Sequence, residues 1–541
     1  MSDRIYIDSF AMVGKFGRKD VEAEYTTEAL LEEMEWCGIH AALVSHGTQR
    51  AYDPAYSNRM LLRELRKSPR LYGVWSVMPH HTGEMPPPKD VVSEMNDNGI
   101  CAAKMYPRAH HYFFDEFTCG ALLDELEKNG IPLLVEGGHM YGPDILEPSN
   151  EVLLSDLDRM LELHPALPVL LQGARWDATR YLIALMMKHR NLFIEFSSHQ
   201  GSRAIEDFTA RFGADRLLFG TGALAKSPGA AKSFVDYSTV SDADKALISG
   251  GTIARLLKLD KMPSGYKTRT TNDSILVRTK EGLPLKDIPV IDAHAHISHN
   301  GGSGVGFMYQ PCSDAAGMKE RAKTMGIDKI CISAWIGLSA DYEEGNEIVF
   351  DAMTQFPRFY CGYATLQPQY VKDWKRELKK VYEGYGFKGI KPYHPHTGLA
   401  YNDPLWDPWY EYGNRMNAFA LMHPSPNFGS EIDDLASRYP NIMFILAHSG
   451  GSFKDARVAI EAALKHKNIV LEITLTSVTH GIIEFMVKHV GAERVLFGTD
   501  QPMRDPIPQF GWVTYAHLSQ EDKTKILGQN MQKIIRRVKI R

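Results

Sequence analysis

The 541-residue sequence lacks several features that point to particular classes of protein. It holds six cysteines with no C-x-x-C pair among them, so neither a disulfide framework nor a thiolate zinc site is expected. No run approaches the roughly 20 continuous apolar residues that span a bilayer. Charged residues interrupt the N-terminus where a signal peptide would be apolar. We therefore expect a cytoplasmic protein with reduced thiols.

The sequence also lacks a strong excess of either charge. Its 61 Lys and Arg residues against 66 Asp and Glu residues give a net charge of −5. This balance provides no general attraction for nucleic acids or anionic membranes, so the expected partner is a small-molecule substrate. Apolar residues at 44% and charged residues at 23% are typical of a globular protein.

The sequence does contain one pattern that occurs twice. HRNLFIEFSS begins at His189, and the chemically similar HKNIVLEITL begins at His466. Each is followed by a matching segment, FGADRLLFGT in the first case and VGAERVLFGT in the second. The match extends back to the start of both copies, where RIYIDSFAMV aligns with IPVIDAHAHI and Lys104 aligns with Lys391. Because the matching sites keep their order, we interpret the chain as a tandem duplication.

Each copy has the length and pattern of one (β/α)8 barrel. Short apolar runs such as AALVS, PLLVE and LFIEF alternate with amphipathic segments, which predicts parallel strands joined by helices. About 250 residues of this pattern is the usual size of a TIM barrel. An open doubly wound sheet is the alternative, but no G-x-G-x-x-G motif follows the first strand. We predict an α/β protein with two tandem, pseudo-twofold-related (β/α)8 TIM-like barrels.

A polar segment between the copies sets the predicted domain boundaries. Residues 1–262 would form the first barrel, 263–288 a linker and 289–541 the second barrel. The linker contains Pro and Gly, as connecting segments commonly do, and ILVRTKEGLPL within it suggests a small hairpin.

The second copy carries histidine and aspartate at the predicted carboxyl ends of its strands, where (β/α)8 enzymes place their chemistry. The first strand ends in D-A-H-A-H, and alternation along a strand directs His294 and His296 to the same side. His423, His448 and Asp500 each follow a later apolar run. Imidazole and carboxylate are ligands for zinc and similar ions. One histidine after a strand is more often structural, but the five residues together favour a metal site.

The first copy provides an internal comparison, because its framework persists while the candidate ligands have changed. It has Phe10 for His294, Met12 for His296, Glu136 for His423, Gln172-Gly173 for Ala447-His448, and Gly222 for Asp500. Histidines required by the fold would have survived at some of these positions. We therefore expect the first barrel to be degenerate, without the metal ligands that the second retains.

Five segments between residues 289 and 536 carry a family resemblance: VIDAHAHI, GIKPYHPHTG, ALMHPSP, ILAHSGG and RVLFGTDQP. With them the second copy resembles the amidohydrolase superfamily, in the amidohydrolase-related branch of metal-dependent hydrolases. That branch also contains aminocarboxymuconate-semialdehyde decarboxylase and γ-resorcylate decarboxylase. The first copy resembles the same family in its framework only.

The resemblance implies one divalent ion, zinc or manganese, bound by His294, His296 and His423. Asp500 would be a further ligand or the hydrogen-bond partner of the bound water. His448 would lie beside the metal and either polarise the reacting group or move protons. Relatives in this branch commonly form dimers, so we expect the first barrel to replace a second subunit in an intrachain pseudo-dimer. Further homo-oligomerisation stays open.

Four other residues are predicted to contact the substrate. Lys391 matches a lysine that is carboxylated in binuclear relatives, although a mononuclear site is favoured here, and a salt-bridge role is the alternative. Tyr393 follows the same strand, Trp335 follows the second strand, and Arg504 follows GTDQPM. A surface role for Tyr393 and Arg504, and core packing for Trp335, are the alternatives.

The expected reaction is hydrolysis of an amide, lactone or ester bond in a small polar molecule. A divalent cation lowers the pKa of its water from 15.7 toward about 7, and Asp500 is placed to take the proton. Non-oxidative decarboxylation of an aromatic or unsaturated carboxylic acid is the main alternative, and hydration is another. The non-enzyme alternative is a ligand-binding protein with a vestigial metal site. Against it stands the intact ligand set of the second copy.

Overall fold

The computed structural model describes residues 4–15, 20–137, 151–261, 264–267, 269–299, 306 and 308–539. The chain divides into two compact units, Met1–Thr271 and Asn272–Arg541. Each unit has one sheet of eight parallel strands in sequential order, with helices between successive strands. The prediction of two tandem (β/α)8 barrels is therefore confirmed. No helix within the described residues is long and apolar enough to cross a membrane.

The strands are numbered in chain order through both barrels. Strands β1 to β8 are Ile7–Val13, Ala41–His46, Leu71–Ser76, Ala102–Lys104, Leu133–Glu136, Val169–Gln172, Leu192–Glu195 and Leu217–Leu218. Strands β9 to β16 are Ile291–Ile297, Lys329–Ala334, Tyr360–Ala364, Gly389–Ile390, Phe419–Met422, Met443–Leu446, Ile469–Glu472 and Val495–Leu496.

The α-helices are numbered in the same way. Helices α1 to α11 are Thr27–Cys37, Thr48–Ala51, Pro54–Leu65, Pro88–Asp97, Glu116–Asn129, Leu154–Leu163, Thr179–Lys188, Ala204–Phe212, Pro228–Asp236, Asp242–Ala246 and Thr252–Leu256. Helices α12 to α24 are Ser274–Lys280, Ala315–Met325, Trp335–Ser339, Tyr342–Gln355, Trp374–Leu378, His394–Thr397, Asp407–Met416, Phe428–Arg438, Phe453–Lys465, Ile482–Val490, Pro506–Thr514, Gln520–Thr524 and Asn530–Arg536.

Backbone hydrogen bonds between the first strand and the segment after the last strand close each barrel. In the second barrel the Ala293 N–H donates to the Phe497 carbonyl at 3.0 Å, and the His296 N–H donates to the Gln501 carbonyl at 2.6 Å. The equivalent bonds of the first barrel join Ser9 to Phe219 and Met12 to Ala223. This closure brings the ends of the first and last strands together, and the candidate site lies there.

A buried aspartate on the first strand of each barrel reinforces the closure. Asp292 accepts hydrogen bonds from the Thr499 N–H at 3.1 Å and from the Thr499 hydroxyl at 2.5 Å. Asp8 accepts the same two bonds from Thr221, at 2.9 and 2.5 Å. Burial raises the pKa of both carboxyls to about 7. Because both barrels keep this arrangement, it belongs to the framework and not to the candidate metal site.

The segment predicted as a hairpin within the linker is instead helix α12. The Asp273 carboxylate accepts hydrogen bonds from the backbone N–H groups of Ile275 and Leu276, at 3.0 and 3.2 Å. Aspartate in this position is a strong helix N-cap. The hairpin prediction was wrong because it gave weight to the Gly-Leu-Pro sequence and overlooked the Asp-Ser capping signal ahead of it.

Candidate metal centre and active site

The end of β9 places two histidines inside the second barrel. His294 and His296 are 1% and 3% exposed, and their ring centroids lie 5.2 Å apart. The Nε2 atoms of His296 and His294 lie 3.0 and 3.6 Å from Oδ1 of Asp500. The structure thus brings together three of the predicted ligands, and their ligand atoms all lie within 4.8 Å of one another.

Each of these histidines has a partner on its other ring nitrogen. Nδ1 of His294 lies 3.0 Å from Oε2 of Glu472, and Nδ1 of His296 lies 2.9 Å from the Ser333 hydroxyl. Histidines that bind metals usually hold the far nitrogen in such a hydrogen bond, which fixes the ring and leaves Nε2 for the ion. The two Nε2 atoms, both close to Asp500, therefore suit a metal.

Burial and nearby charge set the protonation of these groups. Burial lowers the pKa of His294 well below its ordinary value and also lowers the pKa of His296. Burial alone would raise the pKa of Asp500, but the charge of Arg504 and a hydrogen bond from His296 hold that pKa well below its usual value. Neutral imidazole and ionised carboxylate are the forms that bind metals, so this donor set fits a divalent ion.

His448 lies beside this group. Its ring centroid is 5.1 Å from that of His294, and its Nδ1 lies 2.8 Å from the carbonyl oxygen of Thr474. A carbonyl only accepts, so Nδ1 carries the proton and Nε2 keeps its lone pair. Burial lowers the pKa of His448 to about 4, which keeps the ring neutral at pH 7.

His423 lies near His448 but outside the group formed by His294, His296 and Asp500. The ring centroids of His423 and His448 are 5.0 Å apart, and Nδ1 of His423 lies 3.1 Å from the Pro424 carbonyl oxygen. Burial lowers the pKa of His423 to about 3. Its assignment as a metal ligand stays a prediction.

Lys391 is buried next to the histidines. Its Nζ lies 3.5 Å from Nε2 of His294, and burial lowers its pKa to about 8. The equivalent Lys104 of the first barrel forms an ion pair with Glu136 and donates to Gln172 Oε1 at 2.8 Å. The first barrel thus neutralises its lysine with Glu136, which stands at the position of His423, whereas Lys391 forms no ion pair with any described residue.

The other residues predicted to contact substrate surround the same place. The Trp335 ring centroid lies 4.2 Å from that of His296, and Trp335 begins α14 directly after β10. Nζ of Lys391 lies 5.9 Å from the Tyr393 ring centroid. Arg504 contacts the Asp500 carboxylate, and its Nε donates to the Thr476 hydroxyl at 2.5 Å. Residues 300–305 and 307, in the loop after β9, lie outside the described residues.

Sequence analysis missed Glu472, the buried last residue of β15. Besides its contact with His294, Oε1 accepts a hydrogen bond from the Thr474 N–H at 2.7 Å. Burial raises the pKa of its carboxyl to about 8. The signal was present, since both copies end the seventh strand in glutamate, Glu195 and Glu472. The candidate ligands were recognised because they differ between the two copies, and this glutamate does not differ.

Comparison with known proteins places these residues inside a family match. Residues 291–537 match the family model described as amidohydrolase. Similar solved structures include an uncharacterised TIM-barrel protein from Bordetella bronchiseptica, at 16% identity over 46% of this chain and 99% of that chain, with a TM-score of 0.38. A 2,6-dihydroxybenzoate decarboxylase from Rhizobium matches at 15% identity over 46% and 99%, with a TM-score of 0.37. A 4-oxalomesaconate hydratase from Rhodopseudomonas palustris matches at 19% identity over 46% and 96%, with a TM-score of 0.36.

Proposed function

Since the second barrel belongs to the amidohydrolase superfamily, we propose that this chain is a metal-dependent hydrolase of an amide, lactone or ester bond in a small polar molecule. The observation that carries the proposal is the convergence of the ligand atoms of His294, His296 and Asp500 inside the second barrel. These three residues would hold the ion, with His423 as the further ligand that the family resemblance implies. Zinc is the proposed metal and manganese the second choice.

The chemistry follows from what each residue can do with a proton. A bound divalent cation supplies Lewis acidity, which lowers the pKa of water and polarises a carbonyl oxygen. Asp500, ionised and buried, accepts the proton that water loses as its oxygen bonds to the carbonyl carbon. His448 has a free Nε2 lone pair and a fixed Nδ1–H, so this geometry supports proton transfer more than polarisation of the substrate. The proton then passes to the departing nitrogen or oxygen, which completes hydrolysis.

The surrounding residues suit a substrate that carries a negative charge. Lys391 presents a buried ammonium without an ion-pair partner within the described residues, and an anionic substrate group would supply one. Trp335 offers an aromatic face next to His296. Arg504 is already paired with Asp500, so its main effect is to keep that carboxylate ionised, and a substrate contact is secondary.

The buried ammonium of Lys391 and the aromatic ring of Trp335 favour a second function, non-oxidative decarboxylation of an aromatic or unsaturated carboxylic acid. Lys391 would hold the carboxylate and Trp335 would pack against the ring. Assays that measure carbon dioxide release from aromatic acids, beside hydrolysis of a lactone, ester and amide panel, separate the two functions. Turnover of acids alone would replace the hydrolase proposal with this one.

The first experiment compares metal content and activity in the parent and in a His294→Ala/His296→Ala variant. We expect the variant to lose one metal ion and all turnover, because both Nε2 donors are gone. Phe10→Ala/Met12→Ala changes the equivalent positions of the first barrel and serves as the matched control, which should keep both. A parent that binds no zinc or manganese at this site, although it is folded, would contradict the proposal.

A further inference from the structure

The first barrel carries three acidic side chains around one buried histidine, at positions outside the strand ends. His164 follows α6 as its C-cap residue, and its side chain is 3% exposed. Its Nε2 lies 3.0 Å from Oε2 of Glu116. Its Nδ1 lies 3.4 Å from Oδ1 of Asp124 and 3.8 Å from Oε2 of Glu127, yet it makes no hydrogen bond. A buried nitrogen without a hydrogen bond, facing two carboxylates, points to a cation between them.

The positions of these side chains would allow them to share one metal ion. The ligand atoms of Asp124, Glu127 and His164 all lie within 4.8 Å of one another. Nε2 of His164 is hydrogen-bonded to a carboxylate, the usual arrangement for the far nitrogen of a metal-bound imidazole. Oε1 of Glu127 accepts the backbone N–H groups of Ala166 and Leu167, at 2.6 and 3.1 Å. Its other oxygen is thereby oriented toward His164.

Lysine and arginine side chains within the described residues do not pair with this group. Glu116, Asp124 and Glu127 form no ion pair with a lysine or arginine in the described part of the chain. The histidine–aspartate pair of His189 and Asp158, on the same barrel, does have a lysine partner. Asp158 lies 2.6 Å from Nε2 of His189 and 3.0 Å from Nζ of Lys188. With His164 neutral, a bound cation would supply the positive charge that these carboxylates lack.

The second barrel has a tyrosine at the position of His164. Asn191 and Asn468 each donate to three matching carbonyls, and this match aligns His164 with Tyr439. The Tyr439 hydroxyl donates to Asp407 at 2.8 Å, and Arg438 neutralises that carboxylate at 2.9 Å. Position 164 is thus not required by the fold to be histidine.

A glycine in α5 makes room for the arrangement. Gly120 lies between Glu116 and Asp124 on the same helix face, and a Cβ there would lie 2.3 Å from Oε1 of Glu116. Glycine inside a helix is destabilising by about 1 kcal/mol relative to alanine. Its presence lets the Glu116 side chain lie along the helix and reach the histidine.

We propose that Asp124, Glu127 and His164 bind a divalent transition-metal ion, with zinc the best fit to one nitrogen and two carboxylate ligands. Calcium and magnesium fit less well because they prefer oxygen ligands throughout. The ion would join α5 to the end of α6 and so stabilise the first barrel. This site is separate from the ligands of the second barrel, and the proposal does not depend on the proposed function.

The test uses the full-length chain with His294→Ala/His296→Ala as background, so that the second-barrel site does not contribute. After dialysis against zinc chloride, mass spectrometry should find about one equivalent of zinc, as for a structural site. Added His164→Gln or Asp124→Asn should abolish this zinc, and Glu116→Gln should weaken binding about 10–100-fold. Zinc should raise the melting temperature of the background protein and not of the Asp124→Asn variant.

The controls keep the test decisive. The Asp124 side chain is 70% exposed, so Asp124→Asn reports on metal binding even where His164→Gln disturbs folding. Asp158→Asn removes the carboxylate of the neutralised His189 pair and should leave the zinc content unchanged. Failure of the background protein to bind zinc, or equal binding by the Asp124→Asn variant, would overturn the proposal and leave His164 as an ion-paired histidine only.

Discussion

At the scale of single residues, the site occupies strained backbone positions. His448 and Asp500 have φ angles of 62° and 57°, in the left-handed region that favours glycine. The first barrel has Gly173 and Gly222 at the equivalent positions, with φ angles of 72° and 70°. Side chains in this region cost roughly 1–2 kcal/mol each, and they persist where function needs them. The contrast fits the chemical roles that we propose for both residues.

Replacing His448 by glycine or by alanine tests this interpretation. Both variants remove the imidazole and should be inactive. We expect the free energy of unfolding of His448→Gly to exceed that of His448→Ala by about 1 kcal/mol, because only glycine adopts this φ angle without strain. Urea unfolding measures this difference. Equal stability of the two variants would show that position 448 is not strained.

Glu472→Gln tests the orientation of His294. The amide keeps the volume of the side chain but replaces one of the two carboxyl oxygens, which contact His294 and Thr474, with an NH2 group, so metal affinity should fall about 10–100-fold. Calorimetric titration with zinc, in an Asp124→Asn background, measures this affinity. Glu195→Gln is the matched control in the first barrel, since Glu195 is equally buried and accepts the equivalent Ser197 N–H at 2.6 Å. A similar loss of affinity in both variants would indicate a general loss of stability.

At the scale of secondary structure, the sequence predicts strand ends well because each apolar run stops where a polar residue begins. Asp500 follows such a run, and alternation along β9 directs His294 and His296 to the same side, so the three side chains converge. Helix α12 escaped prediction because its signal is one capping residue, Asp273, in a segment that otherwise reads as a linker. Glu472 escaped because a residue common to both barrels looks structural. The pattern of a single sequence thus predicts which side chains lie at the strand ends, but not which residues those side chains contact.

The buried Lys104–Glu136 ion pair joins strands β4 and β5 of the first barrel. Its contribution to stability can be tested by mutation. Glu136→Gln should destabilise the chain by about 3–5 kcal/mol, because it leaves a buried ammonium without its counter-charge. Lys104→Met/Glu136→Leu should recover most of the loss, since two apolar side chains need no partner. Urea unfolding measures both. A fully stable Glu136→Gln variant would mean that Gln172 alone satisfies the lysine.

At the scale of the whole molecule, two copies of one framework have kept different sets of polar residues. Both barrels retain the hydrogen bonds from a threonine to the buried aspartate of the first strand, Asp8 in one and Asp292 in the other. These bonds help to close each barrel. The predicted metal ligands at the carboxyl ends of the strands are present in the second copy alone. The pseudo-dimer stays a prediction from family resemblance. Expressing residues 272–541 alone tests it, and a soluble, fully active monomer would contradict it.

The two proposed metal sites make a final prediction for the intact chain. The parent should hold about two equivalents of zinc, one in the second barrel and one at Asp124, Glu127 and His164. His294→Ala/His296→Ala should remove one equivalent together with turnover. Asp124→Asn should remove the other and lower the melting temperature while turnover stays unchanged, because its side chain lies on the outside of the first barrel. If instead both equivalents depend on His294 and His296, the second barrel holds a binuclear centre, and Lys391 becomes the residue to examine for carboxylation.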